Sequence, residues 1–320
     1  MELNQLKRYC GNLNQLYGVT ESVRQDGKAT GAKELHVTTG GGLEYTVNAS
    51  RGLDISQLRF GGRNIGFLSK PGVCAQSGIR FHDSAFVGFL TTCGLGTCGA
   101  GSDTQPVHGR HGTLPATHLC CKAEDDCIMV SGTMEESTLF GVNFAFKREI
   151  TSTPLENTLR IVDVIENNTE NAAPYYLLYH FNFGYPFLDE GLQLKLPNHA
   201  VCPRDKEAQA GVSDYAVMHK PIDNYKEQVF FLDNMESVDG RVSLQLLNQR
   251  LNIGVELTYE NALLPNLVLW KSLKSGDYAL GIEPANNRIK GCLNEASAFS
   301  IPPYEKVRLA LSARFFSTAD

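Results

Sequence analysis

Tyr175-Tyr176-Leu177-Leu178-Tyr179-His180-Phe181-Asn182 is the stretch whose reading decides the fold. It is an aromatic and apolar run, with Asn167-Asn168-Thr169-Glu170-Asn171 before it and Gly184-Tyr185-Pro186 after it. Such runs, bounded by turn-forming residues, read as strands. Strand alternation places His180 and Asn182 on one face and Tyr179, Phe181 and Phe183 on the other, so two polar side chains share a surface.

Outward from this run the same chemistry repeats. Glu34 to Thr39, Leu43 to Asn48, Ile128 to Thr133, Asn143 to Ile150, Thr158 to Glu166, Arg241 to Asn248 and Ile253 to Tyr259 are further Val-, Ile-, Thr-, Phe- and Tyr-rich segments. Helical periodicity is confined to the start, where Leu3, Leu6, Leu13 and Leu16 could line one side of a short helix. Two hairpins are expected, one closed by Thr39-Gly40-Gly41-Gly42 and one by Asn167 to Asn171, because Gly and Asn tolerate the positive φ of tight turns. The Gly-rich stretch from Gly94 to Gly112 reads as a long loop. No repeat, linker or shift in composition divides the 320 residues. The expected architecture is therefore all-β, one large antiparallel sandwich over residues 1–320.

Composition narrows the function classes. A net charge of −6, with Lys and Arg dispersed along the chain, argues against a nucleic-acid partner. No segment has the roughly 20 apolar residues of a membrane span, and the first residues lack the apolar core of a signal peptide, so a cytoplasmic protein is expected. Nine cysteines without paired C-x-x-C spacing read as free thiols, most of them small buried hydrophobes. No glycine-rich loop has Walker or dinucleotide spacing, and no Gly-x-Ser-x-Gly elbow is present, so no cofactor is expected.

Chemistry gathers at three places. His180 ends an apolar strand; a neutral imidazole near its ordinary pKa of about 6.5 can give or take a proton at physiological pH. Glu283, in Leu280-Gly281-Ile282-Glu283-Pro284-Ala285-Asn286-Asn287, is a carboxylate among apolar residues, where burial raises its pKa. His108-Gly109-Arg110-His111 puts two imidazoles and a guanidinium in a tight loop. The i, i+3 histidines, with Cys93 or Cys98, bring a zinc site into consideration, but the same side chains serve equally as donors to sugar hydroxyls. Glu227 and Arg51 are single charges beside strands, and Trp270 and Tyr304 are rings that could stack on a sugar. For each of these an ordinary role in the core or at the surface is the competing reading.

Taken in order, Arg51-Gly52-Leu53-Asp54-Ile55, Thr92-Cys93-Gly94-Leu95, His108-Gly109-Arg110, His180-Phe181-Asn182-Phe183-Gly184 and Gly281 to Asn286 resemble the aldose 1-epimerase-like family, closest to its DUF4432 branch. The resemblance runs over nearly the whole chain. It implies a galactose-mutarotase-like β supersandwich, with His180 and Glu283 matching the family's catalytic His and Glu. By the same resemblance His108-Gly109 corresponds to a sugar-contacting His-Gly-Gly motif, with Arg110 replacing the second Gly. Glu227 takes the place of a sugar-binding Asp, and either Arg51 or Arg80 takes that of a substrate Arg. Tyr179 stands where mutarotases usually have Asn. The implied reaction is anomer interconversion of a free monosaccharide: Glu283 takes the anomeric hydroxyl proton while protonated His180 gives one to the ring oxygen, with Asn182 and Trp270 as further contacts. The alternatives are a non-catalytic carbohydrate-binding protein, another sugar or sugar-phosphate epimerase or isomerase on the same scaffold, and a purely structural β protein.

Overall fold

The computed structural model describes residues 3–75, 81–101, 106–287 and 299–319. Among these, two antiparallel sheets face one another. The larger has eleven strands in the order Gly18–Val23, Lys33–Thr38, Leu43–Asn48, Asp54–Phe60, Leu90–Leu95, Tyr176–Gly184, Asp277–Ala285, Asn266–Lys274, Gln228–Asp233 and Ala200–Pro203, with the short Arg63–Asn64 beside Asp54–Phe60. The smaller has eight: Leu192–Lys195, Arg241–Asn248, Ile253–Glu260, Lys306–Ser317, Thr158–Asn167, Asn143–Ser152, Ile128–Ser137 and Thr117–Ala123. Two two-stranded sheets, Phe67–Leu68 with Val87–Gly88 and Ala173–Pro174 with Ser300–Ile301, two short α-helices, Leu3–Tyr9 and Lys206–Ala210, and a few 3-10 turns complete the regular structure. Among the described residues no helix is long and apolar enough to cross a membrane.

Alternation builds the core. Asn143–Ser152 and Thr158–Asn167 bury every second residue, sending Phe144, Phe146, Ile150, Leu159, Ile161 and Ile165 inward. The Tyr176–Gly184 strand differs, since all but its first residue are buried. Its inner face, with Tyr179, Phe181 and Phe183, joins the apolar layer between the sheets. Its outer face is covered by loops, so polar side chains there are withdrawn from water without entering the core.

Between the sheets lies one charged cluster. Arg148, fully buried, donates from Nε and Nη2 to the two carboxylate oxygens of Asp163 at 2.9 and 2.7 Å, and from Nη1 to Asp54 at 2.9 Å. Tyr179 donates its hydroxyl to Asp163 at 2.6 Å, and Asp54 accepts from the amide and hydroxyl of Thr92. Tyr179, the departure from the family pattern, thus ties the central strand to the opposite sheet.

The Thr39–Gly42 turn closes the expected hairpin, pairing Lys33–Thr38 with Leu43–Asn48. Asn167 to Asn171 does not. The strand before it, Thr158–Asn167, is filled on both edges by Asn143–Ser152 and Lys306–Ser317, so the chain crosses to the other sheet. Asn167 fixes that crossing: its amide donates to the carbonyls of Asn171, Ile301 and Pro302, and its oxygen accepts from Thr169. The eight described cysteines are free thiols, but only Cys74, Cys93 and Cys98 are buried; Cys120 and Cys121 sit on the edge strand Thr117–Ala123, where one face meets solvent. Cys292 lies outside the described residues.

Candidate active site

His180 and Glu283 are neighbours because of strand register. The central strand Tyr176–Gly184 pairs with Asp277–Ala285 so that Leu178 faces Ala285 and Phe181 faces Ile282, which leaves His180 opposite Glu283 on the outer face. Their side chains approach to 3.0 Å, His180 Nε2 to Glu283 Oε1, both almost fully buried. The contact is not aligned as a hydrogen bond, and Oε1 has no other partner. Gly281 makes room for the pair: a Cβ there would lie 2.6 Å from Glu283 Oε1 and 2.8 Å from His180 Cε1.

Aromatic rings enclose them. Phe86 lies against His180 at 4.2 Å between ring centroids, and Trp270 meets His180 edge-on at 5.5 Å and Phe86 at 5.2 Å. Trp270 is held by its indole N–H, which donates to Glu227 Oε2 at 2.8 Å, while Arg204 donates to Glu227 Oε1 at 3.1 Å and Asp205 at 2.9 Å. These groups open onto a cleft of about 1120 Å³ whose lining also includes Phe67, His108, Leu178 and Val268.

Electrostatics follow burial. Desolvation, with a smaller contribution from the Glu227 charge, holds the Glu283 carboxyl well above its ordinary 4.5. Desolvation, helped by nearby His108, holds His180 well below 6.5, so the expectation of an imidazole near its ordinary value is corrected. Burial thus favours the uncharged form of both groups. Burial also pushes His108 down to about 4.

The remaining sequence candidates divide. His108 and Glu227 line the cleft with Trp270. His108 adopts a positive φ of 60°, and Gly109 follows it because a Cβ would lie 2.2 Å from the Thr97 carbonyl. Arg110 is exposed and outside the lining; it precedes the 3-10 turn His111–Thr113, which directs its side chain to solvent. Arg51 borders a small cavity that adjoins the cleft across Phe86 and His108, where its guanidinium donates to the carbonyls of Gly112 and Ser84 and so holds loops together. Asn182 is fully buried one alternation beyond His180, and its amide donates to the His180 carbonyl at 2.9 Å. Arg80 lies outside the described residues. Tyr304 is exposed in the turn before Lys306–Ser317 and does not line the cleft. His111 packs on Phe146 in the core, away from His108, and no cluster of three metal-ligating side chains occurs among the described residues.

Three further residues matter that sequence reading passed over. Phe86 and Arg204 come from loop and strand-end positions with no local motif to mark them. Asn286, by contrast, sits within the quoted Glu-Pro-Ala-Asn run: its side chain accepts from Leu177 N at 2.7 Å and donates to Tyr175 O at 3.2 Å, pinning the two site strands together.

Fold and site together define a galactose-mutarotase-like β supersandwich with a buried carboxyl–imidazole pair on the outer face of its larger sheet. The chain belongs to the family described as Domain of unknown function (DUF4432), matched over residues 29–311. A candidate aldose 1-epimerase from Klebsiella pneumoniae subsp. pneumoniae MGH 78578 is similar in structure, with a TM-score of 0.87 at 22% identity over 96% of this chain and 87% of that one. A galactose mutarotase-like protein from Clostridium acetobutylicum superposes with a TM-score of 0.67 at 16% identity, over 95% of this chain and 100% of that one. The galactose 1-epimerase of Lactobacillus acidophilus NCFM does so with a TM-score of 0.62 at 14% identity, over 94% and 99%. No curated protein sequence matches.

Proposed function

We propose that this protein interconverts the α and β anomers of a free sugar through the open-chain aldehyde, with Glu283 and His180 as its base and acid. The observation that carries the reading is the 3.0 Å approach of a buried carboxyl and imidazole at the floor of a cleft walled by rings. A protein that only binds sugar has no use for two titratable groups desolvated side by side, because each costs stability.

Ring opening needs Glu283 as a carboxylate and His180 as an imidazolium, a pair that together carries one proton. The 3.0 Å approach of the two groups favours that ion pair, and the hydroxyls of a bound sugar stabilise it in place of water. Glu283 then removes the proton of the anomeric hydroxyl as His180 protonates the ring oxygen; the ring opens, the bond between C1 and C2 turns, and closure reverses both transfers. Each transfer contributes roughly a hundred- to ten-thousand-fold. Trp270 and Phe86 offer apolar faces to the ring, and Glu227, His108 and Arg204 offer hydrogen bonds to hydroxyls.

The test is optical rotation of freshly dissolved pure anomers of galactose, glucose, arabinose, ribose and fucose, with wild type beside His180→Ala and Glu283→Gln. Accelerated equilibration that is lost in both variants is expected. No acceleration with any sugar would sink the proposal, and an unchanged rate in one variant would remove that residue from the mechanism.

A further inference from the structure

The cleft is larger than the proposed reaction needs. Its volume of about 1120 Å³ exceeds the roughly 300–1,000 Å³ typical of small-molecule pockets, and the acid–base pair occupies one end of its floor. That floor is the hairpin Asn266–Lys274 and Asp277–Ala285, in which Val268 pairs with Glu283, Trp270 with Gly281, Ser272 with Ala279 and Lys274 with Asp277. Val268, Trp270, Ser272 and Lys274 share a face by alternation, and all four line the cleft. From Glu283 to Asp277 is six residues of strand, about 20 Å at about 3.4 Å per residue. One pyranose ring seated on Glu283 covers a fraction of that length.

The far end is cationic. Lys70 and Lys274 share a single carboxylate, Asp277, at 2.7 and 3.6 Å, and both lysine side chains are about half exposed. Around the whole cleft four cations, Lys28, Lys70, Lys274 and Arg204, stand against Asp83, Glu227 and Asp277 besides Glu283 itself. The unmatched positive charge lies at the Lys70 and Lys274 end, where two ammonium groups share one carboxylate, whereas Arg204 at the other end is engaged by Glu227 and Asp205. A cleft with low-dielectric walls concentrates such a field on whatever enters it. Between the two ends, Phe67 and Trp270 pack edge to face at 6.5 Å and present aromatic surface, which sugar rings stack upon.

We infer that the cleft takes the reducing end of an extended acidic saccharide, with its terminal ring at His180 and Glu283 and an anionic substituent further along the chain beside Lys70 and Lys274. The inference rests on the anomer-interconversion reading for the terminal ring and names the class of sugar that supplies it. The anionic group is a uronate carboxylate or a sulfate ester; both present oxygens that ammonium groups recognise.

The experiment follows anomer exchange by NMR with trigalacturonate, a sulfated neutral trisaccharide, maltotriose and galacturonate, using wild type and Lys70→Gln/Lys274→Gln. For at least one acidic trisaccharide, kcat/KM should exceed that for maltotriose and for galacturonate on the order of tenfold at low ionic strength. The preference should collapse in the double variant and in about 0.5 M salt, where the Debye length is a few ångströms. Which acidic trisaccharide wins identifies the anionic group. Failure of both acidic trisaccharides to exceed maltotriose and galacturonate, or a preference that survives in the double variant, would each overturn the inference. If no sugar is turned over, the anomer reading falls, and calorimetry decides this one alone. Tighter binding of an acidic trisaccharide than of maltotriose, lost in the double variant, sustains an acidic-saccharide cleft, and no difference in binding ends it.

Discussion

Glu283 is buried at a cost to folding that its neighbours do not offset. Its folded-state pKa is raised by desolvation first and the Glu227 charge second, whereas the unfolded chain titrates near 4.5. A raised folded pKa contributes stability that is fully present below the unfolded value and is lost as pH rises through the folded one. Glu283→Gln should therefore leave the melting temperature unchanged at about pH 4 and raise it by a few degrees at about pH 8, as read by scanning calorimetry. A lower value at pH 8 would mean that contacts of the carboxyl outweigh its desolvation. The same two directions shape the rate. The active pair carries one proton, so kcat/KM should be bell-shaped, with its acid limb displaced below the ordinary imidazole value of 6.5 and its alkaline limb set by loss of the last proton of the pair. A single transition near 6.5 would contradict the assignment.

At the scale of the element, the site is two paired strands and one missing side chain. Gly281 lies between Glu283 and His180 on the outer face, and a methyl there would meet both within 3 Å. Gly281→Ala should push the pair apart and reduce turnover sharply while the protein remains folded, a split visible by polarimetry beside circular dichroism. Retained activity would show that the pair tolerates separation. Asn286 secures the other end of the same strand pair, its side chain continuing the ladder to Leu177 and Tyr175. Asn286→Ala leaves the buried Leu177 amide without its acceptor and should cost about 1–3 kcal/mol in urea denaturation.

For the whole molecule, the Arg148 cluster determines how the sheets stand against one another. Burial lifts Asp54 to about 6 even with Arg148 and Thr92 beside it, so the carboxylate depends on its cation. Arg148→Met would strand Asp163 and Asp54 between the sheets and should lower stability by about 3–5 kcal/mol, measured by chemical denaturation. A loss under 1 kcal/mol would show that the cluster contributes little net energy. Because Tyr179 donates to Asp163 and precedes His180 in the chain, loosening this cluster also loosens the strand that presents the imidazole.

Local chemistry in the sequence was enough for the strands, the Thr39–Gly42 hairpin, the shared face of His180 and Asn182 and the first part of the opening helix, which stops at Tyr9 and leaves Leu13 in a separate 3-10 turn, since alternation and turn propensity act over a few residues. It also singled out Glu283 as an unusual carboxylate, because apolar neighbours in sequence imply burial. Pairing is another matter. That Asn167 to Asn171 crosses between sheets, and that Glu283 stands opposite His180, depends on which strand edges are filled by segments more than a hundred residues away. Arg51 and Arg110 looked like ligands of the same sugar until folding turned one toward loop carbonyls and the other to solvent. Phe86, Arg204 and the lysine-lined end of the cleft left no local trace, because a cavity exists only where distant surfaces meet, and no short stretch of chain encodes the space between them.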